Sequence, residues 1–310
     1  MRIVVTREVI DQDIRAAIDD IHVDSLLLKK TCLAHLAKYV KKDERLPDML
    51  RSIQESGRKT FLLTNSDWWY TSQVMNYLLG KEGENNPDHW MSYFNLVVVD
   101  ACKPRFFSSG TPLQRVDTSS CNLVPVNTSA PGPVVYSGGD HAIITNMLGA
   151  EGHGVLYAGD HLLADVIKCR KLCEWRTLLI VPELLQEQEV TQKNCGLLSQ
   201  LTRVEAVLDN PDLTQLKISL WDLSLNQLNK GFGSSGSLFR SGNKLTYFGS
   251  QVMIWADLYT GTVNNLASYD LDQRFVTNTV KLPHEREIEE DYLRSQVNSR
   301  KHGIELEDSD

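Results

Sequence analysis

The sequence predicts an α/β fold built on a parallel sheet with flanking helices. Short continuous apolar runs, Phe61-Leu62-Leu63, Leu96-Val97-Val98-Val99 and Leu178-Leu179-Ile180-Val181, read as strands buried on both faces. Stretches with apolar residues at helical spacing lie between them. The runs end in Thr, Asp or Pro, which stop strands or cap the helix that follows. Strands alternating with helices call for right-handed crossovers and a sheet covered on both sides.

Each element follows from local signals. Leu33, Leu36, Tyr39 and Val40 suggest a helix over 33–40. Pro47 opens a second helix with Met49, Leu50 and Ile53 on one face and Gly57 at its end. After Phe61–Leu63, the stretch from Asp67 to Leu79 is helical again and stops at Gly80. The Leu96–Val99 strand ends at Asp100. Residues 104–133, rich in Ser, Thr, Pro, Gly and Asn, form a long loop or a surface hairpin.

Val134-Val135-Tyr136 is a short strand before Ser137-Gly138-Gly139, and Ala142 to Leu148 is a helix ending at Gly149. Val155-Leu156-Tyr157 is a strand ending in Gly159-Asp160, followed by a helix to about Cys173. Leu178–Val181 is the next strand, stopped by Pro182, and residues 184–230 read mostly as helix. Half of the residues in 285–310 are charged, which predicts a solvated tail or exposed helix. The resulting division is a helical segment at 1–58, an α/β core at 59–185, a helical extension at 186–284 and a charged tail at 285–310.

Composition limits the function classes. Apolar residues make up 42% and charged residues 23% of the 310, enough for a sizeable core. The formal net charge of −8 argues against a nucleic-acid surface, because such affinity comes mainly from phosphate neutralisation by a basic face. No segment reaches the roughly 18 consecutive apolar residues of a membrane helix, and Thr6, Arg7 and Glu8 interrupt the apolar start too early for a signal peptide. Six cysteines without a CxxC pair read as reduced thiols. The expectation is a cytoplasmic protein without a nucleic-acid or membrane partner.

In open parallel sheets, ligands bind beyond the carboxyl ends of the strands. The residues there are Thr64-Asn65-Ser66, Lys103, and Asp160 with Asp165. Hydroxyl, amide and ammonium donors suit phosphate oxygens, and carboxylates suit a hard cation such as Mg²⁺. Taken singly, each has an ordinary reading as well: Thr64 as a helix cap, Lys103 as a surface lysine, and the two acids as helix-start charges. Gly231-Phe232-Gly233-Ser234-Ser235-Gly236 matches GxGxxG but follows no apolar strand, so it reads as a loop.

These residues carry a resemblance. Phe61–Ser66, Asp100-Ala101-Cys102-Lys103-Pro104 and Gly159-Asp160-His161-Leu162-Leu163-Ala164-Asp165 resemble motifs II, III and IV of the haloacid dehalogenase superfamily. Longer strings occur in the same order in the cytosolic purine 5′-nucleotidase family, which prefers IMP and GMP. They are Val99–Phe107, Tyr136-Ser137-Gly138-Gly139, Trp175-Arg176-Thr177, Val181–Leu184 and Gly236–Gly242. The resemblance spans roughly residues 10–285.

The resemblance implies a haloacid dehalogenase-like Rossmannoid sheet and Mg²⁺-dependent hydrolysis of purine nucleoside 5′-monophosphates through an aspartyl-phosphate. By carry-over, Thr64 and Asn65 bind the phosphate, Lys103 stabilises its charge, Asp160 binds Mg²⁺ and Asp165 supports the metal indirectly. Ser66 contacts the nucleotide, and Arg15, Asp19 and His22 keep the R-x₃-D-x₂-H spacing of a purine-nucleotide site. The resemblance further implies a homo-oligomer.

The sequence also departs from that pattern. The nucleophile motif DxDxT is not found: Asp11-Gln12-Asp13 has Arg15 where Thr belongs, lacks a preceding apolar strand and reads as helix. The fold is thus expected to be missing its first central strand. A lysine of the nucleotide pocket falls near Leu28 and Lys29, while Leu163 and Ile254 stand where an ATP-effector site needs an aromatic and an arginine. The second expectation is therefore a truncated, catalytically inactive nucleotidase-like protein that binds nucleotide or assembles with full-length subunits.

Overall fold

Strand formation is clearest where apolar residues are continuous: all four side chains of Leu96–Val99 are buried. In the computed structural model, which describes residues 6–24, 26–80, 89–127, 134–197, 199, 218–219, 222, 226, 230–233, 236–241 and 244–276, this strand lies inside a five-stranded sheet and pairs in parallel on both sides. The expected charged tail at 285–310 lies outside the described residues.

The chain opens with helices α1 (Arg7–Asp19), α2 (Leu27–Ala34), α3 (Leu36–Tyr39) and α4 (Arg45–Glu55). The expected single helix over 33–40 is two helices broken at His35, whose φ of −142° leaves the helical region. Next come β1 (Phe61–Leu63), α5 (Trp68–Leu79), β2 (Leu96–Val99), β3 (Thr111–Val116), β4 (Leu123–Val124), β5 (Val135–Gly139) and α6 (His141–Leu148). The second half contains β6 (Leu156–Gly159), α7 (Lys168–Leu172), β7 (Arg176–Ile180), α8 (Leu184–Lys193), a small hairpin of β8 (Arg240–Ser241) and β9 (Lys244–Leu245), α9 (Tyr247–Trp255) and β10 (Leu258–Thr260). A π-helical turn, Leu162–Ile167, joins β6 to α7.

The strands form two larger sheets, in the orders β1-β2-β5-β3-β4 and β10-β7-β6. Pairing is parallel except along β3, which is antiparallel to both β4 and β5. The Pro- and Ser-rich stretch after Lys103 is therefore a hairpin, and it also extends the central sheet. Among the described residues, β1 and β6 are edge strands. Side chains connect them: the Phe61 ring stacks on Tyr157 with centroids 6.4 Å apart.

One core spans both sheets. Leu63, Leu96 and Val98 share it with Tyr157, Cys169, Cys173 and Trp175. Phe106, Phe107 and Trp175 are fully buried. Their rings meet edge-on or tilted at centroid distances of 5.3–6.3 Å, geometry worth about 0.5–1.5 kcal/mol per pair beyond area burial. A second core, with Met49, Leu50, Trp68, Leu79 and Trp90, packs α4 and α5 on the other face of β2. Asp257, 7% exposed, joins β7 to β10 by accepting from Thr177 N–H at 2.9 Å and pairing with Arg176 and Arg170.

The N-terminal helix is different. No residue of α1 is buried, and Ile10, Ile14 and Ile18 are all about half exposed. Asp11 and Asp13 lie on α1, consistent with their reading as helix and not as a strand end. All six cysteines are free thiols, as their spacing suggested. Among the described residues, no helix is long and apolar enough to cross a membrane.

Candidate active site

Three strand ends, those of β1, β2 and β6, supply the polar residues. Thr64 follows β1, and its N–H donates to Val98 O at 3.0 Å, so it continues the ladder by one bond. Its carbonyl accepts from Ala101 N–H at 3.0 Å, and its hydroxyl accepts from Ser66 N–H at 3.1 Å. The carbonyl of Ser66 accepts from Asp100 N–H, also at 3.0 Å. These bonds tie the loop after β1 to the loop after β2.

The β2 loop turns sharply, with Asp100 at φ 48° and Cys102 at φ 57°. Left-handed backbone is costly for a residue with a side chain, so such a turn persists only when its surroundings hold it. Asn65 does this. Its Oδ1 accepts from Lys103 N–H at 2.6 Å, and its Nδ2 donates to Lys103 O at 3.0 Å. The peptide bond from Lys103 to Pro104 is cis.

Lys103 then reaches across to the second sheet. Its Nζ lies 2.9 Å from Asp165 Oδ1 and donates to Tyr157 Oη at 2.7 Å. Tyr157 Oη in turn donates to the same Asp165 oxygen at 3.1 Å. The other carboxylate oxygen accepts from His161 N–H at 3.1 Å. The Asp165 side chain is 2% exposed and that of Lys103 14%, so this is a buried ion pair whose oxygens are hydrogen-bonded, the condition under which burial of charge is tolerated. Burial, followed by the Asp165 carboxylate, pushes the Tyr157 phenol well above its ordinary range, keeping it a neutral donor.

Gly159 makes room for Asp165: a Cβ there would lie 2.6 Å from Asp165 Cβ and 2.7 Å from its Cγ. Asp160 follows immediately and is exposed. At the start of the next turn, His161 accepts from Ala164 N–H through Nδ1 at 3.1 Å.

A second cluster borders the first. Asp67 caps α5 by accepting from Tyr70 N–H at 2.8 Å, and its other oxygen pairs with Lys29 Nζ at 2.5 Å. Burial would raise the Asp67 carboxyl, but Lys29 and the Tyr70 amide outweigh it and hold it below its ordinary value. Asp100 goes the other way. Burial raises it, and neighbouring Asp67 adds to the rise, against the Ser137 hydroxyl 3.3 Å away and Lys29.

Thr64, Asn65, Ser66, Lys103 and Asp165 thus meet in one hydrogen-bonded group, with Asp160 at its edge. Arg15, Asp19 and His22 do not join it; they are exposed on α1 and its continuation, where His22 Nδ1 bonds Ile18 O at 2.9 Å. Leu163 and Ile254 are each more than half exposed. The sequence reading missed Tyr157, Gly159 and the Lys29–Asp67 pair. Tyr157 had a signal: two residues before Gly159 on a strand, it lies on the same face.

Among the described residues, no three His, Cys, Asp or Glu side chains converge on a metal-sized centre. The donor set still suits Mg²⁺, which is commonly held by one or two carboxylates together with waters and substrate phosphate. Asp160 is the accessible carboxylate, and Asp165 is engaged by Lys103, Tyr157 and the His161 amide.

The model of the 5′ nucleotidase family matches residues 2–287. A 5′-nucleotidase domain-containing protein of Dictyostelium discoideum is 30% identical over 292 residues, covering 89% of this chain. The chain spans about half the length of that relative, 49% of it. With nearly its whole length matched, the chain belongs to the 5′ nucleotidase family.

Proposed function

We propose that the chain carries the phosphate-binding and metal-supporting part of a nucleotidase that hydrolyses purine nucleoside 5′-monophosphates such as IMP and GMP. Family membership supports nucleotide monophosphate hydrolysis. The observation that carries the site is the buried Lys103–Asp165–Tyr157 network beside Thr64 at the carboxyl ends of β1, β2 and β6. Preorganised donors of this kind stabilise charge that develops on phosphoryl oxygens.

In this reading Thr64 and the Lys103 ammonium face the phosphate. Asn65 fixes the main chain of Lys103 and Asp165 fixes its side chain. Asp160 holds Mg²⁺, whose role when bound is to neutralise phosphate charge. An aspartyl-phosphate route needs an attacking carboxylate, and Asp11 and Asp13, on an exposed helix, do not meet that need. Among the described residues the two sheets are interrupted between β1 and β6, and we place the expected nucleophile strand there.

That same interruption favours a second reading, in which the chain binds nucleotide without turning it over. Phosphate release from IMP with Mg²⁺ tests both, using residues 1–310 and Asp160→Asn as control. Release that disappears in Asp160→Asn supports hydrolysis. Calorimetric IMP binding without release selects the binding reading, and folded protein that neither binds nor hydrolyses IMP overturns both.

A further inference from the structure

We propose that Cys169 and Cys173 form a redox-active dithiol, which a hydroperoxide closes to a disulfide across the C-terminal turn of α7. Their sulfurs lie 3.6 Å apart. The Cys173 thiol also donates to Cys169 O at 3.0 Å, and the Cys173 N–H donates to the same carbonyl at 2.9 Å. Cys173 has already left the helix, with φ −136° and ψ 147°, so its side chain is not bound to helical direction. Residues four apart on a helical turn have Cα atoms about 6 Å apart, inside the span that a disulfide bridges. Closing the bond to about 2.05 Å brings the sulfurs roughly 1.5 Å closer.

The surroundings assign the roles. Cys169 is fully buried, while Cys173 keeps 7% exposure. A peroxide therefore reaches the Cys173 sulfur first, which makes Cys173 the attacking sulfur and the enclosed Cys169 the resolving one. The Cys173 thiolate attacks a peroxide oxygen, the O–O bond breaks, and the leaving oxygen takes a proton. Cys173 is then a sulfenic acid. The Cys169 sulfur displaces its hydroxyl, the S–O bond breaks, the S–S bond forms, and water leaves with the Cys169 proton. Two thiols give up two electrons, and hydrogen peroxide is reduced to two waters. Cys169 lies one helical turn beyond Asp165, so the bond fastens the helix that follows the Asp165 turn. The inference does not depend on the hydrolytic reading.

Arg170 and Lys171 lie between the two cysteines, which makes the bond easy to detect. The folded full chain is treated with hydrogen peroxide, alkylated in denaturant and digested with trypsin without reductant. The expected product is Cys169-Arg170 joined to Leu172–Arg176, lost on reduction. Cys169 and Cys173 both found alkylated, at an exposure that consumes Cys102, Cys121 and Cys195, would overturn the proposal. So would Cys173 found as sulfinic acid with Cys169 alkylated. In Cys169→Ser, dimedone is expected to trap Cys173 as its sulfenic acid; an unmodified Cys173 would overturn the assigned order of attack.

Discussion

Asn65 holds Lys103 by its main chain, accepting from the N–H at 2.6 Å and donating to the carbonyl at 3.0 Å. The residue after one strand thereby sets the position of a residue beyond the next, and only the lysine ammonium is left to reach the second sheet. Asn65→Ala removes both bonds and is expected to cost about 1–2 kcal/mol in urea unfolding. Asn65→Asp keeps the acceptor, loses the donor, and should fall between wild type and Ala.

Removing the partner of a buried carboxylate costs more. Lys103→Met leaves Asp165, 2% exposed, with only neutral donors, and should destabilise by about 3–5 kcal/mol. The double variant Lys103→Met, Asp165→Leu should recover part of that loss, since no buried charge remains. A double variant no more stable than Lys103→Met alone would show that the ion pair is not the source of the cost.

Gly159→Ala places a methyl group within 2.7 Å of the Asp165 carboxyl carbon. Asp165 has to move, and its bonds to Lys103 and Tyr157 move with it. We expect a loss of about 1–3 kcal/mol and weaker IMP binding by calorimetry. Gly154→Ala has open space around its Cβ and serves as a control with unchanged binding.

Asp100 gives a pH signature. Its carboxyl is raised in the folded chain, chiefly by burial, so the folded state binds its proton more tightly than the unfolded chain does. The cost is absent below the ordinary carboxylate value and complete above the raised one, so this group makes stability fall as pH rises through that interval. Asp100→Asn removes the charge and suits the backbone φ of 48°, since Asn tolerates left-handed geometry. At pH 7 its Tm should rise by about 1–3 °C, and the gain should vanish near pH 3. A gain of equal size at both pH values would assign the effect to backbone fit alone.

Much of this architecture was legible in the chain. Continuous apolar runs marked β1 and β2, and Gly80 and Gly149 marked the ends of α5 and α6. Thr64, Lys103 and Asp165 were visible because strand ends collect polar residues in a parallel sheet. The break at His35 carried no signal, since neither Gly nor Pro stands there. The Lys29–Asp67 pair joins residues 38 positions apart, beyond any local period. The grip of Asn65 on Lys103 spans the same separation and depends on two backbone angles that sequence does not encode. Arg15 and Asp19 keep a motif spacing with His22 yet lie on a helix with no buried side chain, because spacing fixes a helix face and not its neighbours.

The edge strands β1 and β6 have a consequence for exchange with solvent. In a twisted parallel sheet the innermost amides usually exchange slowest and the rim fastest. Here alternate N–H groups of β1 and β6 point away from their one ladder partner, next to the Phe61–Tyr157 stack. A deuterium-uptake map should therefore show fast amides in the heart of the molecule, flanked on both sides by the slow amides of β2 and β7.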